Sequence, residues 1–239
     1  GTNFTDSLLV GHATTGTLNA ATYNTAVGID AFKAVTSADQ NTLMGYQSGK
    51  AITTGGYNAA FGMNSGGALV SGSKNAAFGW GALKTTTNHR NSALGADAGE
   101  VISTGDNNVC IGFESGHNIT SGDGNVTIGC ADVPTATADK QLVISDGVDG
   151  SVNWISGDSS ANLQFNGTLT VGVDDTGKDV KLFGASAGAY MEWDESIDTL
   201  RIVGASADAT TSTGKLLLAT SLTDINANDV IGKIEFQAP

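Results

Sequence analysis

Residues 41–57 read NTLMGYQSGKAITTGGY, residues 58–74 read NAAFGMNSGGALVSGSK, and residues 75–90 read NAAFGWGALKTTTNHR. Laid under one another, the three lines share an Asn, an apolar residue and a Gly at fixed places. The register extends in both directions. Gly11, Gly28, Gly45, Gly62, Gly79, Gly95, Gly112 and Gly129 are spaced 17, 17, 17, 17, 16, 17 and 17 residues apart. Four residues before each stands an Asn, namely Asn24, Asn41, Asn58, Asn75, Asn91, Asn108 and Asn125, with Ser7 in the first copy. More than half of the chain is therefore one small unit copied eight times. A unit too small to enclose its own core must stack on its neighbours.

Seventeen residues are too few for a strand–helix–strand unit. The segments are short, rich in Val, Ile, Thr and aromatics, and bounded by Gly, Ser, Asn and Asp, which are strand and turn signals. The residue before each Gly is apolar: Val10, Val27, Met44, Phe61, Phe78, Leu94, Ile111 and Ile128. A second apolar position follows eight residues later, at Leu18, Val35, Ile52, Leu69, Ile102 and Ile119, with Thr86 as the exception. Two inward anchors on two short strands per coil are expected, the residue before Gly being one of them. The recurring Gly marks a bend or a close backbone approach that admits no Cβ. The Asn column predicts an amide ladder along the stack. The expectation is an all-β chain: a β-solenoid or β-roll of eight coils over residues 1–132, rising ~4.8 Å per rung to a rod of roughly 40 Å. The 16-residue coil (Asn75–Arg90) is shortened in its turn.

Beyond residue 132 the period stops, and residues 133–239 read as a hairpin-rich stalk. Apolar-alternating runs predict strands at 141–145, 151–156, 162–165, 168–173, 180–183, 189–193, 199–203, 215–220 and 230–237. Asp146-Gly147, Asp149-Gly150 and Asn166-Gly167 are hairpin turn signals. Residues 189–204, AYMEWDESIDTLRIVG, predict one hairpin with Asp194–Asp198 at its tip, and residues 221–229 a loop. Strands so short, with few large apolar residues, predict a core shared among copies, with three chains winding together.

The formal charge is −13, and residues 131–239 carry sixteen acidic against six basic residues. No basic stripe exists to meet phosphates, so no nucleic-acid partner is expected. No apolar run reaches the ~18 residues of a membrane span, no membrane insertion is expected, and no secretory leader is visible. Cys110 and Cys130 read as small apolar fillers.

The N-x-A-apolar-G-x-x-A/S-G unit resembles repeats in tail-fibre and structural proteins of tailed bacteriophages, marine phages among them. It is also similar to the head repeats of trimeric autotransporter adhesins, whose repeat is shorter. Residues 172–206 resemble stalk segments of marine phage fibres, and residues 229–239, DVIGKIEFQAP, resemble an element that precedes the C-terminal regions of such fibres. The resemblance implies a homotrimeric fibre on a virion, extracellular, joined to other appendage proteins and contacting a host surface glycan or protein receptor. Because the sequence closes at Pro239, a shaft is expected more than a tip. A bacterial surface adhesin or secreted filament subunit is the second reading, and a polysaccharide-degrading tailspike the third.

No catalytic residue, metal ligand or cofactor is expected. His12, His89 and His117 occupy different coil positions. Tyr46, Trp80 and Phe113 share the position after the Gly, a packing or inter-chain column that could also present flat faces to a sugar. Glu192, Asp194, Glu195 and Asp198 form an acidic cluster that reads as a solvated tip rather than a glycosidase pair or calcium site. The turns Gly105–Asn108 and Gly122–Asn125 are reminiscent of calcium-binding β-roll turns without their period. Residues 184–188, GASAG, lack placed partners for a nucleophile elbow. The Thr/Ser pairs beside the turn fit β-propensity and turn bonding better than an ice-binding face.

Overall fold

The computed structural model describes residues 4–11, 19–173, 178–205 and 214. All regular structure among them is β. The strands are β1 (Phe4–Thr5), β2 (Leu8–Val10), β3 (Ala21–Thr22), β4 (Thr25–Val27), β5 (Thr42–Met44), β6 (Ala59–Phe61), β7 (Ala76–Phe78), β8 (Ser92–Leu94), β9 (Val109–Ile111), β10 (Val126–Ile128), β11 (Leu142–Ser145), β12 (Asn153–Gly157), β13 (Leu163–Phe165), β14 (Val180–Phe183), β15 (Tyr190–Asp194) and β16 (Thr199–Val203).

The glycine-bearing coils stack as a β-solenoid. Strands β2 and β4 to β11 form a parallel ladder in strict register, each strand hydrogen-bonded to the one a coil away. The 16-residue coil keeps this register, with Ala76 opposite Ser92, so the deletion is absorbed outside the strand. The ladder also runs one rung past the last Gly of the repeat, where β11 pairs β10. There Gln141 takes the place of the Asn. Strands β12 and β13 then close the sheet antiparallel, with a bulge that leaves Trp154 unmatched between Ile155 and Asn153. The chain divides into two compact units, residues 1–168 and 169–239. The first thus holds the solenoid together with β12 and β13. The second holds a separate antiparallel sheet in the order β14-β15-β16.

Two expectations about the coil are corrected. Each full coil carries one three-residue strand in the long sheet, not two. The arc bearing Val35, Ile52, Leu69, Thr86, Ile102 and Ile119 is a run of turns, not a strand, although those side chains are fully buried as inward anchors. Its residues sit repeatedly in the left-handed backbone region, as at Asp30, Phe32, Gln47, Asn64, Leu83, Asp97 and Glu114, which no strand can accommodate.

The second correction concerns phase. The residue before each Gly is not in the core: Val10, Met44, Phe78, Leu94, Ile111 and Ile128 are exposed, and Val27 and Phe61 are only half-buried. The residue two before Gly points inward instead, at Ala26, Leu43, Ala60, Ala77, Ala93, Cys110 and Thr127, and Val143 continues this file on the rung beyond the last Gly. Successive side chains on a strand face opposite ways, so a slip of one residue exchanges inside and outside. Both columns are apolar, and the interior space decides between them. The turn arc already brings its large anchors into the centre, which leaves room mainly for Ala opposite them.

Volume is traded between coils. At the fourth position after the repeat Gly, Gly49, Gly66, Gly99 and Gly116 alternate with Phe32 and Leu83 at nearly the same φ, +49° to +63°. A Cβ on Gly49 would lie 2.8 Å from Leu43 Cδ1 and 2.9 Å from Ile52 Cδ1. Where Phe32 and Leu83 fill that space, the anchor shrinks to Val35 and Thr86. Thr86, the exception in the apolar column, is thereby the partner of Leu83.

In the second unit, β15 and β16 form the expected hairpin, with Asp194 paired to Thr199 at its end. The expected strand at 168–173 is absent, only Val173 making an isolated bridge. The expected runs at 215–220 and 230–237 and the loop at 221–229 lie outside the described residues, as do His12 and Leu18.

Candidate functional site

The repeat residues form two files through the first unit. The glycines line up so that each approaches the next coil's backbone. A Cβ built on Gly45 would lie 2.6 Å from the Gly62 carbonyl oxygen, and one on Gly62 would overlap that of Gly79. Their φ values run from +93° at Gly11 to +143° at Gly79 and Gly95, a region closed to ordinary side chains. Both conditions exclude any other residue.

The Asn file is a buried amide ladder. The carboxamide Oδ1 of Asn24 accepts the backbone N–H of Asn41 at 3.0 Å and its Nδ2–H at 3.1 Å. The same pairings recur from Asn41 to Asn58, from Asn58 to Asn75 and from Asn91 to Asn108. Backbone N–H bonds continue the file from Asn75 to Asn91 and from Asn108 to Asn125. Each Nδ2 from Asn24 to Asn108 also donates to a turn carbonyl: Ala38, Gly55, Gly72, Asn88, Gly105 and Gly122 in order. Ser7 Oγ accepts from Asn24 N–H at the first rung, and Gln141 Nε2 donates to Asn125 Oδ1 at the last. The longer Gln141 also takes the Ala138 carbonyl, and Asn125 Nδ2 is left without a partner.

A third file escaped the sequence reading. Asp39, Ser73, His89, Asp106, Asp123 and Asp139 each accept, through a side-chain atom, a backbone N–H from the coil before. The acids in the Gly105–Asn108 and Gly122–Asn125 turns are therefore backbone acceptors. The Thr/Ser hydroxyls are likewise engaged, with Thr36, Thr53, Thr87, Ser103 and Thr120 donating to carbonyls of the following coil.

The acidic cluster of the second unit is occupied by ion pairs. Glu192, 9% exposed, lies between Lys181 at 3.1 Å and Arg201 at 3.2 Å. Asp194 accepts from the Ser196 N–H and Oγ and pairs with Arg201 at 3.7 Å. Residues 184–188 form the turn between β14 and β15, closed by Gly184 N–H to Ala189 O. Among the described residues no group of three or more His, Cys, Asp or Glu gathers as a metal would need.

Two side chains carry notable electrostatics. Asp97 is 8% exposed, and its Oδ1 rests against Gly81 with no hydrogen-bond partner. Burial pushes its carboxyl above the ordinary range, the nearby Glu100 carboxylate adding to the effect. Asp146 shows the opposite. Its carboxylate collects the N–H groups of Val152, Val148, Asp149 and Gly150 and is held at about 2.

What remains unpartnered is a surface. Register places Val10, Val27, Met44, Phe61, Phe78, Leu94, Ile111, Ile128, Ile144, Ile155 and Phe165 in one file across all eleven strands of the sheet. Phe61 and Phe78 stack within it, ring centroids 4.9 Å apart and planes 6° from parallel. Beside this file run Ile29, Tyr46, Met63, Trp80 and Phe113, all exposed. The other flank is Leu8, Thr25, Thr42, Ala59, Ala76, Ser92, Val109, Val126 and Leu142. None of these residues is charged. Among the described residues no helix is long and apolar enough to cross a membrane. Comparison of the chain with protein-family models, curated proteins and solved structures produced no match.

Proposed function

We propose that the chain is a structural and adhesive fibre protein, part of the tail fibre of a phage virion, assembled as a homotrimer and contributing to host-cell attachment. The observation that carries this reading is the bonding of the stack. Three files of polar side chains bond each coil to its neighbours, while the sheet turns an uninterrupted file of apolar side chains outward. Such a build yields a stiff spacer with a contact surface. The acidic cluster of the second unit supports the same reading, since the Glu192 carboxylate is tied to two cations instead of standing ready for proton transfer. The exposed rings of Tyr46, Trp80 and Phe113, about two rungs or ~10 Å apart, supply flat faces of the kind that bind sugars, so a host glycan is the receptor class they fit best.

Native mass spectrometry gives the first test, with an expected mass three times the 24.1 kDa of the chain. Antibodies raised against the chain are expected to decorate the tail appendage of virions in electron micrographs and to block adsorption. Virions that carry none of the chain would remove the virion assignment. Labelling of a bacterial cell surface would favour the adhesin reading in its place. Release of reducing sugar from a glycan panel, lost in Glu192→Gln, would favour a tailspike enzyme.

A further inference from the structure

We infer that the outward face of the eleven-stranded sheet, centred on the file from Val10 to Phe165, is where copies of this chain meet. The inference rests on the homotrimeric reading and assigns its contact surface. The file is a continuous line of apolar side chains, and Leu94 in its middle is 56% exposed. With ten strand-to-strand steps of ~4.8 Å and four residue steps of ~3.3 Å across, the face measures roughly 600 Å² in projection. That lies at the upper limit of apolar patches on monomers, about 300–600 Å². A stable interface buries roughly 800 Å² per partner, so the face is of the order of size that such a contact needs.

Three observations favour a second copy over an unrelated partner. The chain carries −13, so copies that touch must avoid juxtaposing carboxylates. Files elsewhere on the coil carry Asp30, Asp97 and Glu114, or Asp106, Asp123 and Asp139. Among the described residues, the file and the flanking side chains named above carry no charge. The face also holds its own complement. The ridge of Phe78, Leu94 and Ile111 borders a depression floored by Ala76, Ser92 and Val109, a relief into which the ridge of a second such face can fit. Finally, the file outlasts the repeat. Strands β12 and β13 run antiparallel and no longer serve the coil, yet Ile155 and Phe165 continue the line from Ile144. Stacking alone imposes no such continuity.

The second unit, taken by itself, has the same asymmetry. One face of its sheet carries the paired Lys181, Glu192 and Arg201, and the other exposes Leu182, Met191, Trp193, Leu200 and Ile202. Each sheet, taken separately, thus leaves an apolar face available for contact between copies.

The test uses the full chain and native mass spectrometry at micromolar concentration. Leu94→Asp and Met44→Asp place a carboxylate on the file, at side chains that face solvent in the single chain. Tyr57→Asp does the same at a more exposed residue, 59%, off the sheet. The expected result is a trimer for the wild type and for Tyr57→Asp. Monomers are expected for the two file variants, a loss of trimer of about tenfold or more because each copy would bury an unpaired charge. Their circular dichroism should remain that of the wild type. As a second measurement, Leu94→Cys in a Cys130→Ala chain should cross-link between copies under mild oxidation, while Tyr57→Cys in the same chain should not. A trimer that survives both Asp substitutions, with no Leu94→Cys cross-link, overturns the face and leaves the trimeric fibre standing. A monomeric wild type overturns both.

Discussion

At Gly62 two separate constraints meet, a φ of +135° and a missing Cβ whose place the Gly79 carbonyl occupies. Gly62→Val is therefore expected to destabilise the chain by at least about 1–3 kcal/mol from backbone strain alone, and by more from the overlap. Gly147 has nothing within 4 Å of where its Cβ would stand, so Gly147→Ala should stay within about 0.5 kcal/mol. Thermal melts of the two variants, compared at one protein concentration, decide the matter. An unchanged melt for Gly62→Val would rule out the close approach. Thr86 raises the converse case. Its Oγ1 is buried without a partner because Leu83 occupies the space a larger anchor would use. Thr86→Val keeps the shape and removes the stranded hydroxyl, and a gain of about 1 kcal/mol is expected. Thr86→Ile should give less than that, since the added methylene competes with Leu83. The spacing of the glycines was legible in the sequence because every copy repeats the same demand. The exchange between Leu83 and Thr86 was not, because it couples residues through volume and leaves no periodic trace.

At the scale of the element, the turn between β11 and β12 depends on a single side chain. Asp146 receives four backbone N–H groups and closes the loop up to Val152. Its folded carboxyl, at about 2, lies below the ordinary 3.8. The native state therefore binds fewer protons than the unfolded one across that interval. The turn's contribution is complete above the unfolded value and is lost as pH falls from about 4 towards 2. Asp146→Ala is expected to lower the melting temperature at pH 7 and to flatten its dependence on pH between 4 and 2. Equal slopes in the two proteins would show that the turn does not use the carboxylate. Hairpin signals such as Asp146-Gly147 placed this turn in the sequence. The convergence of four donors on one carboxylate is a property of the folded loop alone. Element type in the coil was less legible. The apolar spacing of the arc is the same for a strand and for a chain of left-handed turns, and only the backbone dihedrals distinguish them.

At the scale of the molecule, the stack makes each coil's interior depend on both neighbours. Cys110 lies on the inward file and is fully buried, and burial pushes its thiol up to about 11. In a Cys130→Ala chain, Cys110 should resist a thiol reagent at pH 8 until the denaturant concentration at which the β-sheet signal is lost. Labelling well before that point would mean that coils open one at a time. Solenoid stability is a sum of nearest-neighbour terms, and the unbroken ladders of Asn24 to Asn125 and of β2 to β11 are what would bind those terms into one transition. The seventeen-residue step, the Gly and Asn files and the all-β class were determined by the sequence by itself, since identical intervals let identical turns bond to one another. Which apolar column faces inward was decided by the tertiary structure. Adjacent residues of a strand point in opposite directions, both columns are apolar, and only the space left by the buried arc selects the small residue for the inside and turns the large one out.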